Sequence, residues 1–519
     1  MTSSFLRKFR IIFSTIVLIC FILVFVDFRS LVPEKYINYL LFLQFIPSAI
    51  KFFNIETLAA GGFIIVLLLT LLSGRIYCSF LCPLGIGQDL FSRIGGRFRK
   101  KFRRYGFNKP FTITRYSLLA ITLLVTLVWG IYLLTLLDPF SIFGRFMTYF
   151  AKPGVIALNN FLSGILGKFD LYNLAHEPVQ GYQILAYSIP TAFLILVGTL
   201  SFAKGRLYCN MICPVGTLLG LLSKISLLRI RFDESTCSRC GRCSLSCKSS
   251  CIDFLNHNID LSRCVNCFNC INTCPDKALS YGVVRLKKSK HETDESKRKF
   301  IAGSILLLFG LSTSSKGQEK GVPVPKKAST IKENRTFPVC PPGAGSMADL
   351  NKHCTACSLC ISACPNNVLQ PAVKQYGITG IMQPVMDYHK SFCTYNCTIC
   401  TEICPTYALK PLALEAKKLT QIGKVIFIKD NCIVKTEKTA CGACSESCPT
   451  KAVFMIPYEG NLVIPDVNQD ICIGCGHCEY ACPTTPYKAI FVDGNPIHQT
   501  AKTPEKIQTE VAAPEEFPF

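Results

Sequence analysis

The 519-residue sequence contains no C-x-x-C-H, so covalently attached c-type haem is not indicated, and no G-x-x-x-x-G-K-[ST], so nothing points to a nucleotide-driven machine. Acidic residues are scarce as well: 33 Asp and Glu stand against 56 Lys and Arg, a net charge of +23. That imbalance invites a nucleic-acid reading, but its distribution argues against one. Residues 1–315 carry 36 basic and 15 acidic side chains, net +21, whereas the remainder carries 20 and 18, net +2. The excess therefore lies with the apolar half, in runs such as Arg97-Phe-Arg-Lys-Lys-Phe-Arg-Arg104. Basic runs beside apolar spans mark cytoplasmic membrane flanks, so a membrane partner is expected and no nucleic acid.

Cysteine is abundant, with 31 residues. Secreted disulfide frameworks are usually short and irregularly spaced. Here most cysteines recur as C-x-x-C-x-x-C-x-x-x-C, usually followed by proline, which is iron–sulfur spacing. The first two motifs are Cys237, Cys240, Cys243, Cys247 and Cys264, Cys267, Cys270, Cys274. The third is Cys354, Cys357, Cys360, Cys364; the fourth, with one extra residue in its first gap, is Cys393, Cys397, Cys400, Cys404. The fifth, with a stretched first gap, is Cys432, Cys441, Cys444, Cys448, and the sixth is Cys472, Cys475, Cys478, Cys482. In such loops three thiolates wrap one cubane and the fourth reaches the neighbouring cluster, so these 24 cysteines are the expected iron ligands of six 4Fe–4S clusters. Zinc also uses C-x-x-C pairs, but it needs only two of them per site. Cys251 competes with Cys247 as a ligand, and spacing favours Cys247. Cys340 has no evident partner, and Cys20 lies within an apolar span as a packing residue.

Apolar runs at Ile11–Val26, Ile55–Leu72, Tyr116–Leu137 and Ile184–Ala203 are long enough, or nearly so, for a bilayer core that needs ~20 helical residues. A fifth run, Tyr36–Ile50, is interrupted by Gln44 and Pro47. Treating it as an interfacial element keeps Arg97–Arg104, Arg7, Lys8, Arg10, Lys204 and Arg206 on one side, as the positive-inside rule requires. The last residues of two spans run into near-identical sentences, GRIYCSFLCPLG at Gly74–Gly85 and GRLYCNMICPVG at Gly205–Gly216. Helical spacing of i and i+4 brings Cys78 to Cys82 and Cys209 to Cys213, and Pro83 and Pro214 weaken or end the turn after the second thiol. Two readings stay open: buried small residues in a turn, or a catalytic, redox-active or metal-binding thiol set made of Cys78, Cys82, Cys209 and Cys213.

The expected fold is multidomain: a polytopic α-helical membrane domain plus small α+β ferredoxin domains of the bacterial type. Residues 1–230 form the membrane domain, 231–285 a two-cluster domain, 286–335 a signal-like segment and tether, 336–493 a four-cluster domain and 494–519 a disordered tail. The signal-like stretch Ser296–Ser315 has a basic start and a short apolar core, read as a further crossing at Phe300–Leu311 or as a linker helix lying on the membrane. A crossing there would place the last four clusters outside.

Residues 1–285 resemble the NapH-type membrane ferredoxins, in a wider group that includes NosR and CcoG, through the four spans, the motifs at 78–83 and 209–214, and the two cluster motifs at 237–274. Residues 296–490 resemble NapG through the signal-like segment, the P-P-G run at 341–343 and four cluster motifs; the export signal departs from the pattern by a lysine in the first arginine position. No flavin-attachment sequence of the NosR type is apparent. The resemblance implies a quinol dehydrogenase-type electron-transfer protein of the bacterial cytoplasmic membrane. Its donor would be the quinol pool, and its acceptor a periplasmic or membrane reductase or cytochrome. The alternative is an assembly or maintenance factor that reduces a metal or thiol on another protein.

Overall fold

The computed structural model describes residues 3–29, 31–55, 57, 61–98, 105–170, 174–179, 181–283 and 331–503. The Arg97–Arg104 side chains, the apolar core Phe300–Leu311 and the tail from 504 lie outside the described residues.

The membrane-type region is a duplication, and it extends well beyond the two cysteine motifs. The first half comprises α1 (Ser3–Val26), α2 (Glu34–Phe42), α3 (Phe45–Ile55), α4 (Gly62–Ser73), α5 (Tyr77–Phe80) and α6 (Pro83–Phe98). The second comprises α7 (Thr112–Trp129), α8 (Tyr132–Leu137), α9 (Pro139–Phe146), a π turn leading into α10 (Lys152–Gly167), α11 (Ser188–Lys204), α12 (Leu207–Met211) and α13 (Pro214–Ser223). Each half thus runs long helix, broken helix pair, apolar helix, cysteine turn, proline-started helix.

Among the described residues, three helices are long and apolar enough to cross a bilayer: Phe5–Val26, Thr112–Trp129 and Ile184–Lys204. The helix at Gly62–Ser73 is apolar but shorter than a span. The run Tyr36–Ile50 does not form one rod, since α2 and α3 meet at 101° around Leu43 and Gln44. Nor is Tyr116–Leu137 a single helix. Gly130, at φ +94°, ends α7, and α8 starts two residues later. A left-handed residue cannot continue a right-handed helix, and glycine adopts it without steric cost.

After α13 the chain forms two small antiparallel ladders, β1 (Leu228–Phe232) with β4 (Leu279–Val283) and β2 (Ile252–Asp253) with β3 (Asn258–Ile259). The C-terminal region has three more: β5 (Leu369–Pro371) with β6 (Pro384–Met386), β8 (Val453–Pro457) with β9 (Val463–Val467), and β7 (Thr420–Phe427) with β10 (Ile490–Thr500). Two expected boundaries shift. The strand β10 carries order past Gly494 to Thr500, with a register shift between Gly494 and Gln499. Pro496, which has no N–H to donate, sits in that irregular stretch. At the other edge, order begins before 336: Ile331 exchanges hydrogen bonds with the Asn431 side chain at 3.1 and 2.7 Å.

The two cysteine-rich regions meet opposite ends of α1. Near its start, Phe9 and Phe13 pack on Phe80, with centroids 6.4 and 5.9 Å apart, and Leu6 joins the core of the β1–β4 region. At its far end the Phe25 carbonyl accepts a 2.5 Å hydrogen bond from Ser362. At 1.5 Å per residue, Leu6 to Phe25 spans roughly 29 Å.

Candidate redox sites

The regular motifs share one backbone device. In motifs one, two, three and six the last residue of the first gap is left-handed: Arg239, Asn266, Ala356 and Gly474. So is the first residue of the second gap: Gly241, Phe268, Ser358 and Gly476. Bulky residues seldom adopt positive φ, so two such turns per loop indicate a chain wrapped tightly around a centre. Motifs four and five, irregular in their first gap, also depart in the second, where Thr398 has φ −123° and Gly442 −126°.

The thiols gather in crossed sets. Burial pushes Cys243 up to about 11, and its thiol neighbours are Cys274, Cys237 and Cys240. Around Cys270, which burial also raises, stand Cys267, Cys264 and Cys247. Cys251 comes within 3.5 Å of Cys247, sulfur to sulfur, so it adjoins this second set. In the C-terminal region, Cys360 neighbours Cys354, Cys357 and Cys404, and Cys400 neighbours Cys393, Cys364 and Cys397. Cys444 neighbours Cys482, Cys441 and Cys432; Cys478 neighbours Cys475, Cys472 and Cys448. In every pair of motifs the fourth cysteine crosses over. Small, partly open cavities line up with two of the sets, one walled by Cys432, Cys441, Cys444 and Cys482, the other by Cys364, Cys393, Cys397 and Cys400. Four sulfurs around a small apolar hollow suit a 4Fe–4S cluster. The Cys393 amide donates to the Cys475 carbonyl at 2.9 Å, which joins two sets side by side. Cys340 takes no part in a set; it is fully buried beside Tyr376.

The duplicated motifs come together in the membrane-type core. Cys78, Cys82, Cys209 and Cys213 are all buried, and each sulfur is an electrostatic neighbour of the other three. Contrary to expectation, the prolines do not end the helical turns: these stop at Phe80 and Met211, before each second thiol, and Pro83 and Pro214 open the next helix at its first position, where a missing N–H costs nothing. The two halves then clasp. Arg75 donates to the Cys209 carbonyl at 3.2 Å, and Arg206 donates to the Cys78 carbonyl at 2.6 Å. The Gly85 and Gly216 amides donate to the Cys82 and Cys213 sulfurs at 3.4 and 3.3 Å. A Cβ on either glycine would come within 2.3 Å of the Cys78 or Cys209 carbonyl oxygen, so only glycine fits.

Sequence reasoning singled out the cysteines of G-R-x-Y-C-x-x-x-C-P and missed the arginine and tyrosine, although both recur in register. Tyr77 donates to Gln44 at the α2–α3 bend, and Tyr208 donates to the Leu137 carbonyl at the α8–α9 bend, both at 3.0–3.2 Å. At the second bend Asp138 caps α9 through the Phe140 and Ser141 amides, and burial lifts its carboxyl to about 6. Two further side chains with no signal in the sequence fasten the domains. Asp89 is paired with Arg10, Arg206 and Lys248 at 3.0 Å each, and Arg145 donates to the Ala356 carbonyl at 3.1 Å.

The family described as "4Fe-4S binding domain" matches residues 57–104 and 185–233, the two stretches that hold the duplicated motif, and "4Fe-4S dicluster domain" matches 353–434 and 439–485. Ferredoxin-type protein NapF of Escherichia coli K12 is 29% identical over 134 residues, 26% of this chain and 73% of its own. Ferredoxin-type protein NapH of Haemophilus influenzae is 25% identical over 264 residues, 46% of this chain and 77% of its own. Methylamine utilization ferredoxin-type protein MauN of Paracoccus denitrificans is 29% identical over 194 residues, 36% of this chain and 53% of its own. No solved structure matches. Two regions of the chain thus match 4Fe–4S binding families, the chain is similar to ferredoxin-type proteins such as NapH, and three of its described helices are long and apolar enough to cross a membrane.

Proposed function

We propose that this protein carries electrons from the quinol pool across the bacterial cytoplasmic membrane, through six 4Fe–4S clusters, to a periplasmic or membrane-bound reductase or cytochrome. One observation carries the reading: the two cysteine-rich regions dock at opposite ends of the apolar helix α1. In this reading Met1 and the first two clusters face the cytoplasm, and α1, α7, α11 and the apolar run 55–72, which includes most of α4, cross. A further crossing at Phe300–Leu311, the stretch the sequence offers for it, would put the four-cluster region in the periplasm as a NapG-like domain.

When bound, each cluster supplies a one-electron carrier. The chain's own residues do the rest. The crossed cysteine sets hold neighbouring carriers close, and the Cys393–Cys475 contact joins the two C-terminal pairs into one line. Oxidation of one quinol to quinone delivers two electrons into this line, one at a time, and releases two protons. The four buried thiols of the duplicated motif stand between the two regions, in one continuous core with Cys267 and Cys357.

Protease added to the outer face of intact spheroplasts should cut within residues 284–330, and full protection of that segment would defeat the transmembrane reading. A reduced quinol analogue should bleach the cluster absorbance of the purified protein. Reduction of Cu²⁺ without any bleaching by quinol would favour the maintenance-factor reading instead.

A further inference from the structure

We propose that Cys78, Cys82, Cys209 and Cys213 hold a seventh iron–sulfur cluster, of the 4Fe–4S type, on the pseudo-two-fold axis between the two halves. The site stands on its own geometry; its role as the link between the two ferredoxin regions rests on the transmembrane reading above.

Three kinds of site fit four thiols: a single soft metal ion, a disulfide pair or a cluster. A tetrahedral ion with ~2.3 Å metal–sulfur bonds draws its sulfurs to within about 4 Å of one another. Among the described residues, no three cysteine sulfurs lie within 4.8 Å of each other, neither here nor in the six ferredoxin sets. The four sulfurs are nonetheless mutual neighbours, like those of the ferredoxin sets. None is joined in a disulfide. A cubane spreads its four thiolates over that wider spacing.

The surroundings are built for an anionic, sulfur-rich group. Four donors reach the sulfurs: the Gly85 amide at 3.4 Å, the Gly216 amide at 3.3 Å, the Gln88 amide nitrogen at 3.1 Å and Arg75 at 3.8 Å. The Cys354 and Cys404 sulfurs of the ferredoxin loops likewise accept backbone amides, both at 3.4 Å. Two fully buried guanidiniums, Arg75 and Arg206, stand on the two sides of the axis. Arg75 Nε and Arg206 Nη2 are buried N–H donors without a hydrogen-bond partner, which is costly unless an acceptor occupies the space beside them. Cluster sulfides and thiolates accept such bonds, and two cations offset the charge of the group. The family match over 57–104 and 185–233, described as 4Fe–4S binding, covers these cysteines and none of the twenty-four ferredoxin ligands.

Position supplies the use. The ferredoxin regions meet α1 roughly 29 Å apart along the helix, so a carrier between them would shorten each electron transfer. The thiol site lies between them, with Arg206 reaching toward both Cys209 and Cys267 on one flank. On the other flank the same core continues to Cys357 and Leu359. The site would pass one electron per event, with no bond made or broken.

Iron and acid-labile sulfide on anaerobically purified protein should approach twenty-eight of each per chain by the four-per-cluster rule, against twenty-four for six clusters. The double variant Cys78→Ser, Cys209→Ser should lose about four irons and one low-temperature paramagnetic signal while the others persist. Gln88→Leu, which leaves all four thiols in place, gives a second test that does not depend on the double variant's folding. It removes one donor to the Cys209 sulfur, and it should lower a single midpoint potential at unchanged iron content. Unchanged iron in the double variant, one equivalent of zinc, or a Cys78–Cys209 disulfide in the oxidised protein would each overturn the cluster. Spheroplast proteolysis reads sidedness separately, so the cluster can fail while the transmembrane reading stands, and the reverse.

Discussion

The two ferredoxin regions use the same loops but are held to the membrane-type domain by different forces. The N-terminal one is fastened by buried charge. Asp89 sits among Arg10 of α1, Arg206 of the duplicated motif and Lys248, the residue after Cys247. Those three cations hold its carboxyl far below the usual range in spite of its burial. Arg75 and Arg115 add hydrogen bonds to the Ser262 carbonyl at 2.9 and 2.8 Å. The C-terminal region is fastened by cations and amides meeting neutral carbonyls: Arg145 to Ala356, Lys152 to Ser362, and Asn54 to Tyr407 at 3.0 Å. Among the described residues no ion pair joins it to the membrane-type domain. Its charge network is internal, formed by Arg335, Glu333, Glu479 and His389. The first region is thus built into the membrane-type domain, whereas the second is a self-contained body laid against it.

The largest effect should come from Asp89→Ala. Removing the shared anion leaves three buried cations uncompensated, and breaking a buried pair costs about 3–5 kcal/mol. The N-terminal clusters, which depend on that junction, should be lost on mild heating in detergent while the four C-terminal clusters survive. Equal loss from both regions would erase the contrast.

Arg145→Ala should act on the other junction and more weakly. A hydrogen bond from a charged group is worth about 1.5–3 kcal/mol, and the Ala356 and Thr135 carbonyls would both lose their donor. Iron content should stay unchanged. After outer-face protease has cut between 284 and 330, the C-terminal body should be washed off the variant more readily than off the wild type. Equal retention would mean that Arg145 does not fasten it.

What the sequence made legible follows the same division. The crossed cysteine sets were readable because their chemistry is local, with three ligands inside seven residues and proline after the fourth. The cysteine repeat was readable too, but not its clasp, since Arg75 and Arg206 each reach a carbonyl more than a hundred residues away. Composition misled at the C-terminal edge, where Gly494-Asn-Pro reads as a tail although β7 supplies the missing partners. Hydrophobicity misled at Tyr116–Leu137, because it cannot register the left-handed Gly130. Asp89 gave no signal, since a lone acid in an apolar half means little until three cations converge on it.

The smallest effect concerns pH and the internal network of the C-terminal region. Glu333 accepts from the Lys488 amide at 2.7 Å and lies 3.0 Å from His389, and Arg335 bridges Glu333 and Glu479. Burial opposes its ionisation, yet the His389 hydrogen bond, the Lys488 amide and the charges of His389 and Arg335 hold Glu333 down at about 2. His389 moves the other way, raised above its ordinary 6.5 chiefly by the Glu333 hydrogen bond. A depressed carboxyl contributes stability that is complete above its ordinary value of 4.5 and disappears as pH falls toward about 2. A raised histidine contributes stability that is complete below 6.5 and disappears as pH rises through its folded value. The network should therefore be strongest between these limits, and the C-terminal body should lose a little stability on passing from pH 6 to pH 8. His389 is half-exposed, so solvent screens the effect and keeps it small. His389→Gln should flatten that alkaline slope without touching the acid side, as read by the midpoint of thermal cluster bleaching at each pH. A slope that survives the substitution would assign the titration to another group.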